Sequence, residues 1–235
     1  MWKILDTGQR SAQENMEIDQ KLLKEMKPED PPLLHFYEWK GEAATYGYFT
    51  DPSRFLSLEG VKARALSLAR RPTGGGIIFH LSDFAFSVCI PSRFPFFSTK
   101  TLENYRFIND AVRRAVEPLL PHSLSLLQED PLPSDPASSH FCMAKPTIYD
   151  VMLGGKKIAG AAQRRQKQGY LHQGSITIAL PSRDFLEEVL KAEPQVIEKM
   201  EAQTLNLLEK DGSLRDLQEI RNLLKEKVQK ELTHV

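Results

Sequence analysis

The chain has 235 residues, 41% hydrophobic and 26% charged, with 31 basic against 31 acidic side chains and a formal net charge of zero. That composition fits one larger globular domain with apolar material for a core and a ligand pocket, and the charge balance excludes broad attraction to nucleic acid or an anionic membrane. Only Cys89 and Cys142 are present, without CxxC or His-Cys spacing, and neither an apolar leader nor a run of about 18 apolar residues is found, so the expectation is a cytoplasmic protein without disulfides, structural zinc or a membrane span.

Ser11-Ala12-Gln13-Glu14 has the capping-box pattern, which starts a helix that runs to about Met26 and is stopped by Pro28, Pro31 and Pro32. Strands are predicted over 33–39 and 44–49. Arg70-Arg71-Pro72-Thr73-Gly74-Gly75-Gly76 must be a loop, because proline fixes its own dihedral and three glycines forfeit backbone order. Two β-prone runs follow, 77–81 and 84–90, separated by Ser82-Asp83 and read as a hairpin supporting that loop. Helical spacing from Leu102 to Leu119 predicts a surface helix over 101–120, and a Pro/Ser/Asp-rich stretch at 129–140 reads as an exposed mobile loop. Strands are expected at 149–153, 157–162 and 174–180, then helices at 183–192, 194–210 and 214–232. In the last helix Leu214, Leu217, Leu224, Val228 and Leu232 form a stripe fit to pack on the body or on another chain.

Several residues have chemical potential. Bare glycine backbone lets a ligand approach closely while neighbouring guanidiniums pair with carboxylate or phosphate, although the same sequence also suits a plain flexible turn. Gly154-Gly155-Lys156-Lys157-Ile158-Ala159-Gly160-Ala161-Ala162-Gln163 leaves space beside a lysine, or is simply a hairpin turn into a small-residue strand. Cys142 is either a small buried hydrophobe or a thiol reachable by substrate; as a nucleophile it would need a nearby cation such as Lys157. Cys89 reads as core, and His80 as a ligand contact or a satisfied core histidine. No GxxxxGK[ST], HExxH, GxSxG or EF-hand pattern is present.

Taken together these motifs resemble the lipoate-protein ligase and octanoyltransferase family. The resemblance rests on Asn15-Met16-Glu17-Ile18-Asp19, Phe36-Tyr37-Glu38-Trp39, Gly47-Tyr48-Phe49, the arginine-glycine loop through His80, Gly155 to Gln163, and Leu171-His172-Gln173-Gly174-Ser175-Ile176. It implies an α+β fold like the biotin/lipoate ligase catalytic domain, a mixed β-sheet flanked by helices with a helical C-terminal segment: a catalytic domain at 1–181 and an extension at 182–235 packed on or beside it. By the same resemblance Arg70, Arg71, Thr73, Gly74, Gly75, Gly76, His80, Gly160, Ala161 and His172 contact substrate. Lys157 meets the acyl carbonyl, and Cys142 with Pro146 is similar to the nucleophile segment of the cysteine-dependent octanoyltransferases. Gln163-Arg164-Arg165 resembles their Ala-Gln-x-Arg continuation, and the Gly-Arg-Asn-Asp sequence of many ligases is replaced by Thr147-Ile148-Tyr149-Asp150.

The implied activity is octanoyl or lipoyl transfer through a Cys142 thioester, with acyl carrier protein as donor, a lipoyl-domain or glycine-cleavage H-type acceptor, and no cofactor. Two alternatives stand beside it: an ATP- and magnesium-dependent lipoate ligase working through lipoyl-AMP, and a non-catalytic acyl-binding homologue. Three positions depart from the family pattern. Leu81 stands where an acidic residue usually follows the pocket histidine, Ala161 where serine is common, and Gln173 where histidine usually precedes the glycine.

Overall fold

Residues 1–129, 140–191, 194–208 and 214–234 are described by the structure, a computed structural model. The first strand, β1 (Lys3–Arg10), leads into α1 (Ala12–Glu25), where Ser11 and Glu14 exchange side-chain and backbone bonds as the capping box requires. The helix is a crossover, since β2 (Leu33–Trp39) returns parallel to β1. β3 (Ala43–Tyr46), α2 (Leu58–Ala63), β4 (Ser67–Arg70) and β5 (Ile77–His80) follow, and the three strands form their own small sheet, β3 lying parallel to β4 and antiparallel to β5.

β6 (Asp83–Pro91) belongs to the other sheet. All nine of its residues are buried, and it pairs antiparallel with β2 on one side and β10 (Gly169–Thr177) on the other. After α3 (Thr101–Val116) come β7 (Ser125–Leu126), β8 (Val151–Leu153) and β9 (Lys156–Gln166), which complete a mixed seven-stranded sheet ordered β1-β2-β6-β10-β9-β8-β7. Helices α4 (Arg183–Val189), α5 (Pro194–Gln203) and α6 (Leu214–Thr233) end the chain.

The large sheet packs one face against α3 and α6. Leu34, Phe86, Val88 and Ile90 meet Ile108, Val112 and Val116 there, and Leu224, Val228 and Leu232, all fully buried, fill the same core. Full burial of such side chains contributes about 1.5–3 kcal/mol each. The opposite face carries α1 and the small sheet, joined through Met16, Tyr37, Ala43, Ala69 and Ala85. α4 and α5 cover the small sheet with Phe185, Leu186, Val196 and Met200. Among the described residues no helix is long and apolar enough to cross a membrane.

The α+β class and the flanked mixed sheet stand as expected; several local assignments do not. Runs 77–81 and 84–90 form no hairpin: β5 pairs with β3 and β6 with β2 and β10, so Ser82-Asp83 carries the chain from one sheet to the other. Periodicity reveals that a run is β-prone, not which strand it pairs with. β1, β4 and α2 were not anticipated; Arg70, read as loop, ends β4; and β10 starts at Gly169 rather than near 174. The helix expected over 101–120 stops at Val116 and gives way to a 3-10 turn containing Pro118. Of the loop expected at 129–140, residues 130–139 lie outside the described residues, as do 192–193 and 209–213, on which the ends of two expected helices fall.

Candidate active site

Between the two sheets is a cavity of about 230 Å³. Its large-sheet wall is built from Tyr37 and Trp39 of β2, Ala85 of β6, Gln173 and Ser175 of β10, and Gly160 and Ala162 of β9, while Thr45, Arg71, Ile78 and His80 face them from the small sheet. Met16 of α1, with Phe141 and Met143, adds apolar surface. Cys142 and Lys157 open onto the same space.

The arginine-glycine loop is held by its own second arginine. Buried Arg71 donates from Nη1 to the carbonyl and hydroxyl of Thr45 (3.0 and 2.9 Å) and from Nη2 to the carbonyls of Gly74 and Gly76 (3.0 and 2.9 Å). Its Nη2 also lies 4.0 Å from Cys142 Sγ, and among the described residues no carboxylate pairs with this guanidinium. The last glycine of the triplet is obligatory for a steric reason: a Cβ on Gly76 would stand 2.0 Å from the carbonyl oxygen of His140. That close approach docks the cysteine segment, whose Cys142 N–H donates to the Ile77 carbonyl at 3.1 Å while Phe141 bridges Ile77.

Lys157 reaches the cavity through an irregularity. Opposite Val151 and Met152, β9 carries one extra residue, with Ala159 facing Val151 and Lys157 facing Met152. Such a bulge shifts the alternation of side chains, so Ile158 and Ala159 both join the apolar core while Lys157 shares the cavity face with Gly160. The lysine side chain then lies across Gly160, where a Cβ would be 2.4 Å from both Cε and Nζ. The ammonium donates to the Cys142 carbonyl at 3.1 Å and pairs with Asp150 Oδ2 at 2.6 Å. Burial pushes the Asp150 carboxyl above its ordinary range, against the pull of Lys157 and of the Thr147 backbone and hydroxyl donors.

Two buried polar strings stiffen the walls. In one, Arg71 donates to Thr45 Oγ1, which is 2.8 Å from His80 Nε2; His80 Nδ1 is 2.7 Å from Asp83 Oδ2, and the Ser175 hydroxyl donates to that oxygen. Trp39 stacks on His80 at 4.1 Å. In the other, the Thr73 hydroxyl donates to Gln173 Oε1 at 2.6 Å, and Gln173 Nε2 donates to Asp19, which also holds Ser87 and His35.

Of the residues expected at the site, Arg71, Gly75, Gly76, His80, Cys142, Lys157, Gly160 and Ala161 line the cavity. Arg70, Thr73, Gly74 and His172 do not. Arg70 is exposed and rests on the Tyr48 ring; Thr73 acts through Gln173; Gly74 offers its carbonyl to Arg71. His172 points to the other face of β10, beside Phe86 and Tyr105, with Nδ1 on Gln163 and Nε2 unpartnered, and burial pushes its imidazole down to about 3. Alternation along a strand dictates this, since Gln173 and Ser175 take the cavity side. Met16, Thr45, Asp150, Gln173, Ser175 and Thr204 were missed. For Asp150 a signal existed in Thr147-Ile148-Tyr149-Asp150, a Thr-x-x-Asp spacing in which the carboxylate caps the threonine N–H.

A mainly apolar chamber between two sheets, with a thiol, an ammonium and a glycine-rich loop around it, has the form of an enzyme's ligand pocket. The chain belongs to the lipoyl protein ligase A/B catalytic domain family, which it matches over residues 11–229. It is 36% identical over 180 residues to the octanoyltransferase LipM of Symbiobacterium thermophilum, covering 75% of this chain and 65% of that protein, just under two thirds of its length. With the octanoyltransferase LipM of an Exiguobacterium species the identity is 32%, covering 92% of this chain and 78% of the relative. Among solved structures, lipoate-protein ligase A bound with ATP superposes with a TM-score of 0.70 at 26% identity, over 98% of this chain and 84% of that one. A bipartite lipoate protein ligase from Thermoplasma acidophilum, at 24% identity, shares the fold with a TM-score of 0.70 over 99% of this chain and 84% of that one.

Proposed function

We propose that the protein transfers an octanoyl group, in lipoate cofactor biosynthesis, from a thioester donor to a lysine of a lipoyl-domain or H-type acceptor through a thioester on Cys142. The observation that carries this reading is the meeting of the Cys142 thiol, the Lys157 ammonium and the Arg71 guanidinium at one apolar cavity. Cys142 sulfur, as thiolate, attacks the donor carbonyl; the bond to the donor sulfur breaks and that thiol leaves. Lys157, held by Asp150, stabilises negative charge developing on the carbonyl oxygen. The acceptor lysine amine then attacks the acyl-cysteine, losing a proton as the amide forms and the Cys142 thiol is restored. Because one thioester replaces another, the route needs neither ATP nor metal. The similarity to octanoyltransferases named LipM supports this branch. Acyl carrier protein is the donor that fits, and the cytoplasm the compartment.

Intact mass after incubation with octanoyl-acyl carrier protein should rise by one octanoyl group located on Cys142, and Cys142→Ala should lose both the adduct and the transfer. Transfer at the wild-type rate by Cys142→Ala would end the covalent route. The second reading, ATP-dependent ligation through an acyl adenylate, is favoured by the ATP-bound ligase among the structural neighbours; lipoate-dependent release of pyrophosphate from ATP with magnesium would decide for it.

A further inference from the structure

Beside the cavity the chain exposes a group of side chains that acyl transfer itself does not use. The segment after β3 places Phe49 almost wholly in solvent, at 93% exposure, and Tyr48 at 40%, with their rings in edge contact at 5.1 Å. Two guanidiniums lie over the Tyr48 ring, Arg70 at 4.7 Å and Arg164 at 4.9 Å from its centroid. Neither arginine meets a carboxylate among the described residues. The stack therefore concentrates positive charge and exposed aromatic surface on a chain whose net charge is zero.

This patch is tied to the reactive end of the cavity by its own bonds. Tyr48 N–H donates to the Thr73 carbonyl, the Thr50 hydroxyl to the Gly75 carbonyl and Arg164 Nη1 to the Pro72 carbonyl, so the patch rests on the loop whose Gly75 faces the Cys142 sulfur. Arg164 also projects from the cavity face of β9, in line with Gly160 and Ala162.

We infer that Phe49, Arg70 and Arg164 dock the acidic carrier domain that brings the acyl thioester. This rests on the transfer reading above. Charge complementarity selects the donor: the acceptor offers a cationic lysine, which two guanidiniums without a carboxylate partner among the described residues repel, whereas an acidic carrier delivering a neutral thioester meets them favourably.

The test compares formation of acyl-Cys142 from octanoyl-acyl carrier protein and from octanoyl-N-acetylcysteamine, a small donor with no protein surface. Phe49→Ala and Arg70→Glu each alter exposed side chains outside the cavity, so both should fold. Each should raise KM for the carrier protein about tenfold with little change in kcat, leave the small donor unaffected, and weaken the salt sensitivity of the carrier reaction. An unchanged KM for the carrier overturns the docking surface, as does an equal loss with the small donor. A defect confined to transfer from acyl-enzyme to the acceptor also overturns it, because the patch would then serve the other partner. Failure of the wild-type protein to form acyl-Cys142 from either donor would instead overturn the transfer reading.

Discussion

Lys157 and Gly160 act as a pair: the lysine can cross its own strand only because residue 160 has no side chain. In Gly160→Ala the new Cβ displaces the far end of a flexible side chain, so the fold should persist while the ammonium moves off the carbonyl position. The melting temperature should fall, because the buried Asp150 carboxylate is disturbed together with its lysine partner, and the acylation rate of the folded protein should fall by about a hundredfold, as displacements near 1 Å can cause; an unchanged rate would mean that the ammonium position does not matter. His172 makes a different prediction. In the folded protein burial holds its pKa at about 3, against 6.5 for an ordinary histidine. Between those values the unfolded chain binds the extra proton, so stability is lost as pH falls below about 6.5. Going from pH 7 to pH 5, urea unfolding should show the wild type losing about 2 kcal/mol more than His172→Gln; equal losses in the two proteins would refute this.

Two of the departures from the family pattern resolve at this same scale. The carboxylate missing immediately after His80 is supplied by Asp83, whose Oδ2 is 2.7 Å from Nδ1, because the link between the sheets turns it back toward the ring. Gln173, in place of histidine, connects Thr73 of the glycine loop with Asp19 of α1. Ala161 lines the cavity, and nothing in the structure explains why alanine stands there.

At the scale of elements, the bulge in β9 and the parting of β5 from β6 matter most. One re-aims Lys157; the other separates two adjacent β-runs into facing sheets and so opens the space that His80 and Ala85 share. α6 supports the large sheet from behind with Leu217, Leu224, Val228 and Leu232 of the apolar spacing read from the sequence, and Leu224 is fully buried among core residues. Leu224→Ala should cost about 2–4 kcal/mol in chemical denaturation. A loss below about 1 kcal/mol would show that α6 packs only loosely.

Across the whole molecule, the segment that follows α5 reaches into the site itself. Thr204, just beyond α5, lines the cavity, bridges Lys157 through its backbone and donates its hydroxyl to the Met143 carbonyl at 2.8 Å. Thr204→Val would leave that buried carbonyl without its donor, at a cost of about 1–3 kcal/mol, and free the segment next to Cys142. Thermal unfolding should register the first effect and slower formation of acyl-Cys142 the second; full stability together with a full rate would uncouple α5 from the site.

What the sequence determined by itself was local and repetitive. The capping box of α1, the apolar spacing of α6, the rigid and bare residues of the glycine loop and the ordered family motifs each depend on near neighbours in the chain, so they were legible, and with them the class of fold. Strand partners, the bulge, and the roles of Asp150, Gln173 and Thr204 were not, because pairing and close approach join segments far apart in the chain, 154 positions in the case of Gln173 and Asp19. Which face of β10 a residue takes, and so why Gln173 rather than His172 meets the cavity, depends on what packs against each side of the strand, and only the assembled sheets decide that.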